Sequence, residues 1–189
     1  LQEKLVNLKA AQQKEISDNQ KESKKVSEAQ KKIDAALTEL MSQAPSGGGG
    51  GGSYVPGSSA VGNAIAQKAL SKIGARYWWG ANGPTYFDCS GLVFWAHKEA
   101  GVKIGRTTAA GYSRSGKAIS KSQLQPGDVI TFSYGSGVAH IGIYIGGGSF
   151  VHAAGNGSGT VGQYPNQCVK TASLSGYWEN HAYNYRRLY

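Results

Sequence analysis

The hydrophobic and polar positions follow a helical pattern in the first 44 residues. An alternating step of four and three residues from Leu1 gives a seam that is apolar at both ends and polar in the middle. Its apolar members are Leu1, Leu5, Leu8, Val26, Ala29, Ile33, Ala36 and Leu40, and its polar members are Gln12, Glu15, Asn19 and Glu22. Because the segment is also rich in Ala, Lys, Glu, Gln and Leu, we expect a coiled-coil-type helix over residues 1–44. Two interpretations stay open: a solvated spacer, or a helix whose apolar ends pack on a partner.

A glycine-rich stretch, PSGGGGGGS at 45–53, separates this helix from the rest of the chain. Six consecutive glycines favour no single conformation. We therefore expect a flexible linker over residues 45–58 and a compact domain over 59–189.

The compact part begins with helical patterns and continues with strand patterns. Apolar residues have helical spacing over 61–73 and again over 89–100, and a glycine follows each stretch. QPGDVITF at 125–132 is typical of a turn that leads into a strand, and AHIGIYIGGGSFVHAA at 139–154 is typical of a hairpin. Two helices followed by strands predict an α+β fold.

The register of the predicted hairpin decides which side chains share a face. Side chains alternate along a strand. One face would carry Ile141, Ile143 and Ile145, and the other His140, Gly142 and Tyr144. A three-residue glycine turn would pair Ile145 with Ser149 and place His152 on the face of His140, whereas a four-residue turn would place it on the opposite face.

Composition and charge support this division of the 189 residues. All aromatic residues and all four histidines lie from Tyr54 onward, so the core belongs to that part. Residues 45–189 carry twelve Lys or Arg against four acids, a net +8 of the chain's +9. Such a surface suits a polyanionic partner. No dense Lys/Arg cluster or RNA-binding motif is present, so we expect no nucleic acid partner.

The chain starts without Met or a basic-then-apolar leader, and no apolar stretch is long enough to span a bilayer. We interpret it as a mature or trimmed fragment. Two cysteines do not make a disulfide scaffold.

Cys89 is a candidate nucleophile because of its position at the start of a predicted helix. Asp88 is a plausible N-cap, which places the thiol in the first turn. There the helix dipole and unpaired N–H groups are expected to lower the thiol pKa and could hold an oxyanion. The small residues Ser90 and Gly91 leave space beside the sulfur.

His140 is the candidate base, with His152 as the group that orients it if the hairpin register holds. A half-buried structural histidine is the alternative for His140. Glu179 could in principle replace His152. Two histidines could also be half of a zinc site, but no further ligand stands at ligand spacing, and we expect no metal and no cofactor.

The motifs RYWWG, FDCSGLV, LQPGDVITF, AHIGIYIG and FVHA, in this order, resemble the NlpC/P60 family of bacterial cell-wall cysteine peptidases over about residues 60–189. The resemblance implies a papain-like α+β domain with the catalytic helix packed on an antiparallel sheet. It implies Cys89 as nucleophile, His140 as general base and His152 as the orienting residue. Tyr77 matches a family tyrosine that helps to bind substrate or to stabilise the oxyanion.

Three further residues belong to the implied substrate site. Asp88 and Ser90 match motif positions that flank the nucleophile. Arg106 lies where the family has a substrate-side loop and is a candidate for binding a carboxylate.

The resemblance also implies a substrate and a location. Family members cut peptidoglycan stem peptides, commonly between D-γ-glutamate and meso-diaminopimelate, so we expect a secreted enzyme of the cell envelope. The helix and linker resemble those of division-associated hydrolases of mycobacteria and corynebacteria. In those proteins the helical region restrains the enzyme or docks it on a membrane complex, here through residues 1–43.

Two other functions remain open at this stage. One is a masked or regulatory module of the division complex that acts through its helix. The other is an amidase or acyltransferase that uses the same site on another acyl substrate. Cys168 matches no motif and is expected to be buried and inert, with a disulfide to Cys89 as the alternative, and His97 and His181 have no motif support.

Overall fold

The computed structural model describes residues 53–159, 161–162 and 166–189. The predicted coiled-coil helix at 1–44 and the glycine run therefore lie outside the described residues, as does the proposed docking segment 1–43. Among the described residues, no helix is long and apolar enough to cross a membrane.

The domain contains helices and strands in an order that confirms the α+β prediction. The helices are α1 (Ala60–Leu70), α2 (Cys89–Glu99), α3 (Ala109–Tyr112) and α4 (Tyr177–His181), with one 3₁₀ turn at Lys121–Gln123. The strands are β1 (Lys117–Ile119), β2 (Val129–Ser133), β3 (Val138–Gly146), β4 (Ser149–Ala153), β5 (Val169–Ser173) and β6 (Ala182–Arg187). They form one antiparallel sheet in the order β1-β6-β2-β3-β4-β5.

Each of the two longer helices begins at a side-chain cap. Ser59 accepts a hydrogen bond from the N–H of Gly62 at the start of α1, and Asp88 accepts one from Gly91 at the start of α2. Helix α1 ends at Leu70, earlier than the predicted 73, because the chain turns there and Ile73 is half exposed. The caps fix where α2 starts, and hence where Cys89 lies.

The sheet is buried on both faces. Helices α1 and α2 pack on one face, over a core that includes Leu92, Val93, Ile141, Ile143, Ile145 and Val151. The opposite face carries a smaller cluster of Ile130, Phe132, Phe150 and Leu174, against which Trp178 of α4 packs. The isoleucine face predicted for β3 is thus confirmed.

The hairpin of β3 and β4 has the register that the sequence analysis required. Ile143 pairs with Val151, and an irregularity then makes Gly146, not Ile145, the partner of Ser149. The turn itself is therefore two glycines long rather than three. Both have positive φ, at 57° and 73°, which suits a tight hairpin turn and favours glycine.

The end of the predicted linker is part of the domain. The N–H of Val55 donates to the carbonyl of Ile145 at 2.9 Å, and Tyr54 packs against the main core. The N–H of Gly57 donates to the side chain of Asn63. Residues 54–57, which belong to the predicted linker, therefore contact the domain.

A buried ion pair ties the last strand to the sheet. Asp128, immediately before β2, is fully buried and accepts hydrogen bonds from Nε and a terminal nitrogen of Arg187, both at 2.7 Å. This bidentate contact also raises the pKa of Arg187. Strand β6 is thereby held beside β2, and α4, which directly precedes β6, is held near the end of the sheet that carries the histidines.

Candidate active site

Asp88 organises the entrance of α2. Its carboxylate accepts the N–H of Gly91 at 2.5 Å, the N–H of Gly80 at 2.9 Å and the hydroxyl of Ser90 at 3.0 Å. One terminal nitrogen of Arg106 donates to both carboxylate oxygens, at 2.9 and 3.1 Å. Asp88 is therefore a fully bonded N-cap, and the first turn that carries Cys89 is firmly held.

Cys89 lies at this first turn, partly exposed, as predicted. Backbone hydrogen bonds from Ser90 and Ile141 reach its sulfur and lower the thiol pKa, as does the charge of Arg106. Burial and the carboxylate of Asp88 act in the opposite direction and are stronger, and they raise the pKa to about 12. The expected fall of the thiol pKa is thus wrong, because desolvation outweighs the effect of the helix terminus.

The contact with Ile141 brings the thiol to β3. His140 is the residue before Ile141, so the thiol and the imidazole lie at the same end of that strand. Helix α2, which carries the predicted nucleophile, packs on β3, which carries the predicted base.

His140 and His152 are joined by a hydrogen bond of 2.8 Å between Nε2 of His140 and Nδ1 of His152. The rings are nearly perpendicular, with an interplanar angle of 85°. Two imidazoles can form this bond only if one nitrogen is protonated and the other is not. If His140 donates through Nε2–H, its Nδ1 is left as the basic nitrogen, which is the arrangement a general base needs.

Burial keeps both imidazoles neutral. It lowers the pKa of His140 to about 4, and burial together with the charges of His140 and Lys170 lowers the pKa of His152 further below its usual range. With the thiol pKa raised and the imidazole pKa values lowered, Cys89, His140 and His152 are all neutral near pH 7.

Tyr77 lies in the same site. It is buried, and its pKa is raised by burial and by the neighbouring Cys89 and Asp88. The ring packs against Gly155, where an added Cβ would lie 2.3 Å from the ring. The structure thus places Tyr77 near the thiol, where the sequence analysis expected a substrate or oxyanion residue.

Arg106 and Ser90 also lie at the entrance of α2, bonded to each other at 2.8 Å. Both terminal nitrogens of Arg106 already donate within the protein, to Asp88, Ser90 and the carbonyl of Thr107. This arrangement makes Arg106 a support for Asp88. Binding of a substrate carboxylate by Arg106 stays a prediction, and it would compete with these bonds.

The remaining candidates lie apart from the chemistry. Cys168 is buried, and the alternative of a disulfide between Cys168 and Cys89 is wrong, because the two form none. Glu179 forms an exposed ion pair with Lys121, so it does not orient His140. His97 is fully buried, with Nδ1 2.8 Å from the carbonyl oxygen of Val93, which is a packing role. Within the described ranges, no three His, Cys, Asp or Glu side chains cluster as metal ligands would.

The sequence analysis missed one residue at the site. Trp178 of α4 is in ring contact with both His140 and His152. It follows Tyr177 in a five-residue helix, which is too short to show a hydrophobic period. The only available signal was a large aromatic residue in a polar segment.

The fold and this site define a class: an α+β domain with a cysteine at a helix N-terminus and two hydrogen-bonded histidines on neighbouring strands of the packed sheet. Residues 74–187 match the model of the NlpC/P60 family, and the chain belongs to this family.

Similar proteins carry names of the same kind. A probable endopeptidase p60 of Listeria grayi is 47% identical over 100 residues, which are 53% of this chain and 19% of that protein. A probable endopeptidase of Corynebacterium glutamicum is 45% identical over 95 residues, which are 50% of this chain and 44% of that protein. The crystal structure of the NlpC/p60 domain of the peptidoglycan hydrolase SagA is 30% identical, with a TM-score of 0.53, and covers 67% of this chain and 97% of that one. The chain therefore matches only part of the length of these curated relatives.

Proposed function

We propose that this chain is a peptidoglycan endopeptidase that hydrolyses stem peptides by a Cys-His-His mechanism. The bond between Nε2 of His140 and Nδ1 of His152 supports the proposal, because with His140 as the donor its Nδ1 is left as a base, and the backbone of the next residue, Ile141, contacts the Cys89 sulfur. The names of the relatives, endopeptidase and peptidoglycan hydrolase, support the substrate class.

In the proposed first step, the thiol proton passes to Nδ1 of His140 while the sulfur of Cys89 attacks the peptide carbonyl. The backbone N–H groups at the start of α2 are the nearest fixed donors for the oxyanion, with the hydroxyl of Tyr77 as a second candidate. His152 accepts the Nε2–H of His140 and stabilises the imidazolium that forms.

The second half of the reaction reverses the proton movement. The tetrahedral intermediate collapses, the C–N bond breaks, and the imidazolium of His140 gives its proton to the leaving amine. Water then loses a proton to His140 and attacks the thioester. The acyl product leaves as a carboxylate, and Cys89 regains its proton.

The scissile bond and the biological setting extend this proposal. We place the cut between D-γ-glutamate and meso-diaminopimelate, in the cell envelope, during wall remodelling or daughter-cell separation. The excess of positive charge in residues 45–189 suits a wall rich in carboxylates and phosphodiester polymers. An activator of the membrane complex would dock on residues 1–43.

The test is the release of amino groups from purified diaminopimelate-type peptidoglycan by the 189-residue chain. Cys89→Ala should abolish release, and the matched control Cys168→Ala should retain it, since the Cys168 side chain is buried and has no part in the proposed mechanism. Equal activity of the wild type and Cys89→Ala would remove Cys89 from the mechanism.

A further inference from the structure

Helix α4 places an indole ring against both members of the histidine pair. The ring centroid of Trp178 lies 5.7 Å from that of His140, at an interplanar angle of 33°, and 4.9 Å from that of His152, at 71°. The first contact is a tilted stack and the second is edge-to-face. Trp178 thus bridges the two rings whose mutual hydrogen bond sets up the base.

Two phenylalanines complete a cage around the pair. Phe132 lies 5.9 Å from His140 and 5.0 Å from Trp178, and Phe150 lies 5.2 Å from both His152 and Trp178. We call Phe132, Phe150 and Trp178 the aromatic cage. Of its three members, Trp178 alone is in ring contact with both histidines in the described part of the chain.

His152 depends on this packing for its orientation. It is buried, 1% exposed, and its Nε2 has no hydrogen-bond partner among the described residues. Its one polar side-chain contact there is the bond to His140. An orienting residue normally has a second hydrogen bond of its own, and here ring packing takes that place.

We propose that Trp178 is a positioning residue for catalysis, which fixes the relative orientation of His140 and His152 and keeps water from the hydrogen bond between them. The proposal rests on the proposed function, since it concerns the same base. The observation behind the proposal is that the Trp178 ring packs on both imidazoles. The other two members of the aromatic cage, Phe132 and Phe150, are fully buried.

Water that enters after loss of the indole would stabilise the imidazolium form, so the pKa of both histidines should rise. Other titratable groups also surround the two histidines, and their charges affect the pKa values of both, so the variants that are compared must leave these groups unmutated. They are Lys170, opposite His152 on β5, Cys89 beyond the end of β3, and Tyr134, Tyr177 and His181, whose rings form a contiguous group with Trp178. A substitution at Trp178 alone leaves each of these residues in the sequence.

The experiment compares wild type, Trp178→Phe and Trp178→Leu in the full chain. The control is Tyr183→Ala, because Tyr183 is an aromatic residue of the following strand that is 61% exposed. Two quantities are measured: the ¹⁵N chemical shifts of the imidazoles as a function of pH, and kcat/KM on a muropeptide as a function of pH.

Trp178→Leu should raise the pKa of His140 by roughly one unit and should lower kcat roughly tenfold with little change in KM. The acid limb of kcat/KM should move upward with that pKa. Trp178→Phe should restore most of the activity, since it keeps a ring over the pair, and Tyr183→Ala should match wild type.

Unchanged imidazole titrations in Trp178→Leu would overturn the proposal, as would a loss of kcat that comes without any movement of the acid limb. If wild type proves inactive on muropeptides, the proposed substrate fails, but the ¹⁵N titration still decides whether Trp178 controls the histidine pair. If the leucine variant does not fold, Trp178→Met provides that titration, because methionine fills part of the indole volume without placing a ring over the pair.

Discussion

The nitrogens of His140 and His152 have different roles in the proposed mechanism. In the proposed tautomer, Nε2–H of His140 donates to Nδ1 of His152, and Nδ1 of His140 takes the thiol proton. Loss of His152 would leave the tautomer and the ring angle of His140 unfixed.

We predict that His152→Ala lowers kcat by roughly one to two orders of magnitude, a fraction of what a general base contributes, and changes KM little. Steady-state kinetics on a muropeptide measure both constants. Tyr183→Ala is the control, because Tyr183 lies on β6 outside the hydrogen-bonded pair and is 61% exposed. An activity of His152→Ala equal to that of the control would show that His152 does not orient the base.

The protonation state of Cys89 leads to a second prediction. Its pKa of about 12 and that of His140 of about 4 describe a neutral thiol and a neutral imidazole near pH 7. The rate of alkylation by iodoacetamide should therefore rise steadily between pH 6 and 9, since the thiolate fraction grows with pH. Mass spectrometry in a Cys168→Ala background follows Cys89 alone. A rate that is already at a plateau over this range would indicate a preformed thiolate–imidazolium pair instead.

At the residue scale, the sequence predicts three residues whose catalytic roles stay predictions. Cys89, His140 and His152 were predicted from a helix start and from strand alternation, and the hairpin register confirms that both histidines lie on one face. The direction of the thiol pKa was wrong because burial depends on packing that a helix terminus does not reveal. Trp178 was missed because α4 reaches the histidines only through the fold.

At the scale of the elements, the start of α2 depends on Asp88. Asp88 is 5% exposed. Its carboxylate caps the helix and also accepts hydrogen bonds from the N–H of Gly80 and from the guanidinium of Arg106. Removal of the side chain would leave buried donors without an acceptor.

We predict that Asp88→Ala lowers the free energy of unfolding by about 2 kcal/mol, more than the usual loss of an N-cap. Ser59→Ala, at the start of α1, should cost about 1 kcal/mol, because the Ser59 cap accepts one backbone N–H, that of Gly62, and holds no ion pair. Urea denaturation measures both. At equal folded fraction, activity should fall more in Asp88→Ala than in Ser59→Ala. If the two variants lost the same stability and the same activity, Asp88 would have no role beyond that of an ordinary N-cap.

The sequence predicted the helices and strands whose apolar residues recur at a clear helical or strand spacing, and it did not predict the others. Helix α2 and the β3–β4 hairpin have long patterns of period 3.6 and 2. Strand β6 has the sequence AYNYRR, and most of its residues are half-buried. Its sequence therefore shows no alternation of apolar and polar residues that would predict a strand. Helices α3 and α4 have only four and five residues, and their existence depends on tertiary contacts.

For the whole molecule, buried histidines make folding dependent on pH. The pKa of His97 is about 4 and that of His140 is about 4, and both are lowered mainly by burial. The unfolded chain, with a histidine pKa near 6.5, binds more protons below that pH. Stability is therefore complete above about pH 6.5 and is lost as the pH falls toward 4.

We predict a steep fall in the free energy of unfolding between pH 6.5 and 4, measured by urea denaturation at a series of pH values. His97, 0% exposed, should account for about 3 kcal/mol of the total, at 1.4 kcal/mol per pKa unit. His97→Leu should therefore give a shallower dependence than wild type. Parallel curves for the two proteins would contradict the burial effect at His97.

The measurement that tests the central claim most directly is mass spectrometry of a defined disaccharide-tetrapeptide muropeptide after incubation with the full chain. The account predicts two fragments, disaccharide–L-Ala–D-Glu and diaminopimelate–D-Ala, with wild type and neither with Cys89→Ala. A free disaccharide with an intact tetrapeptide would mean an amidase at the same site. Cleavage that persists in Cys89→Ala would contradict the mechanism as a whole.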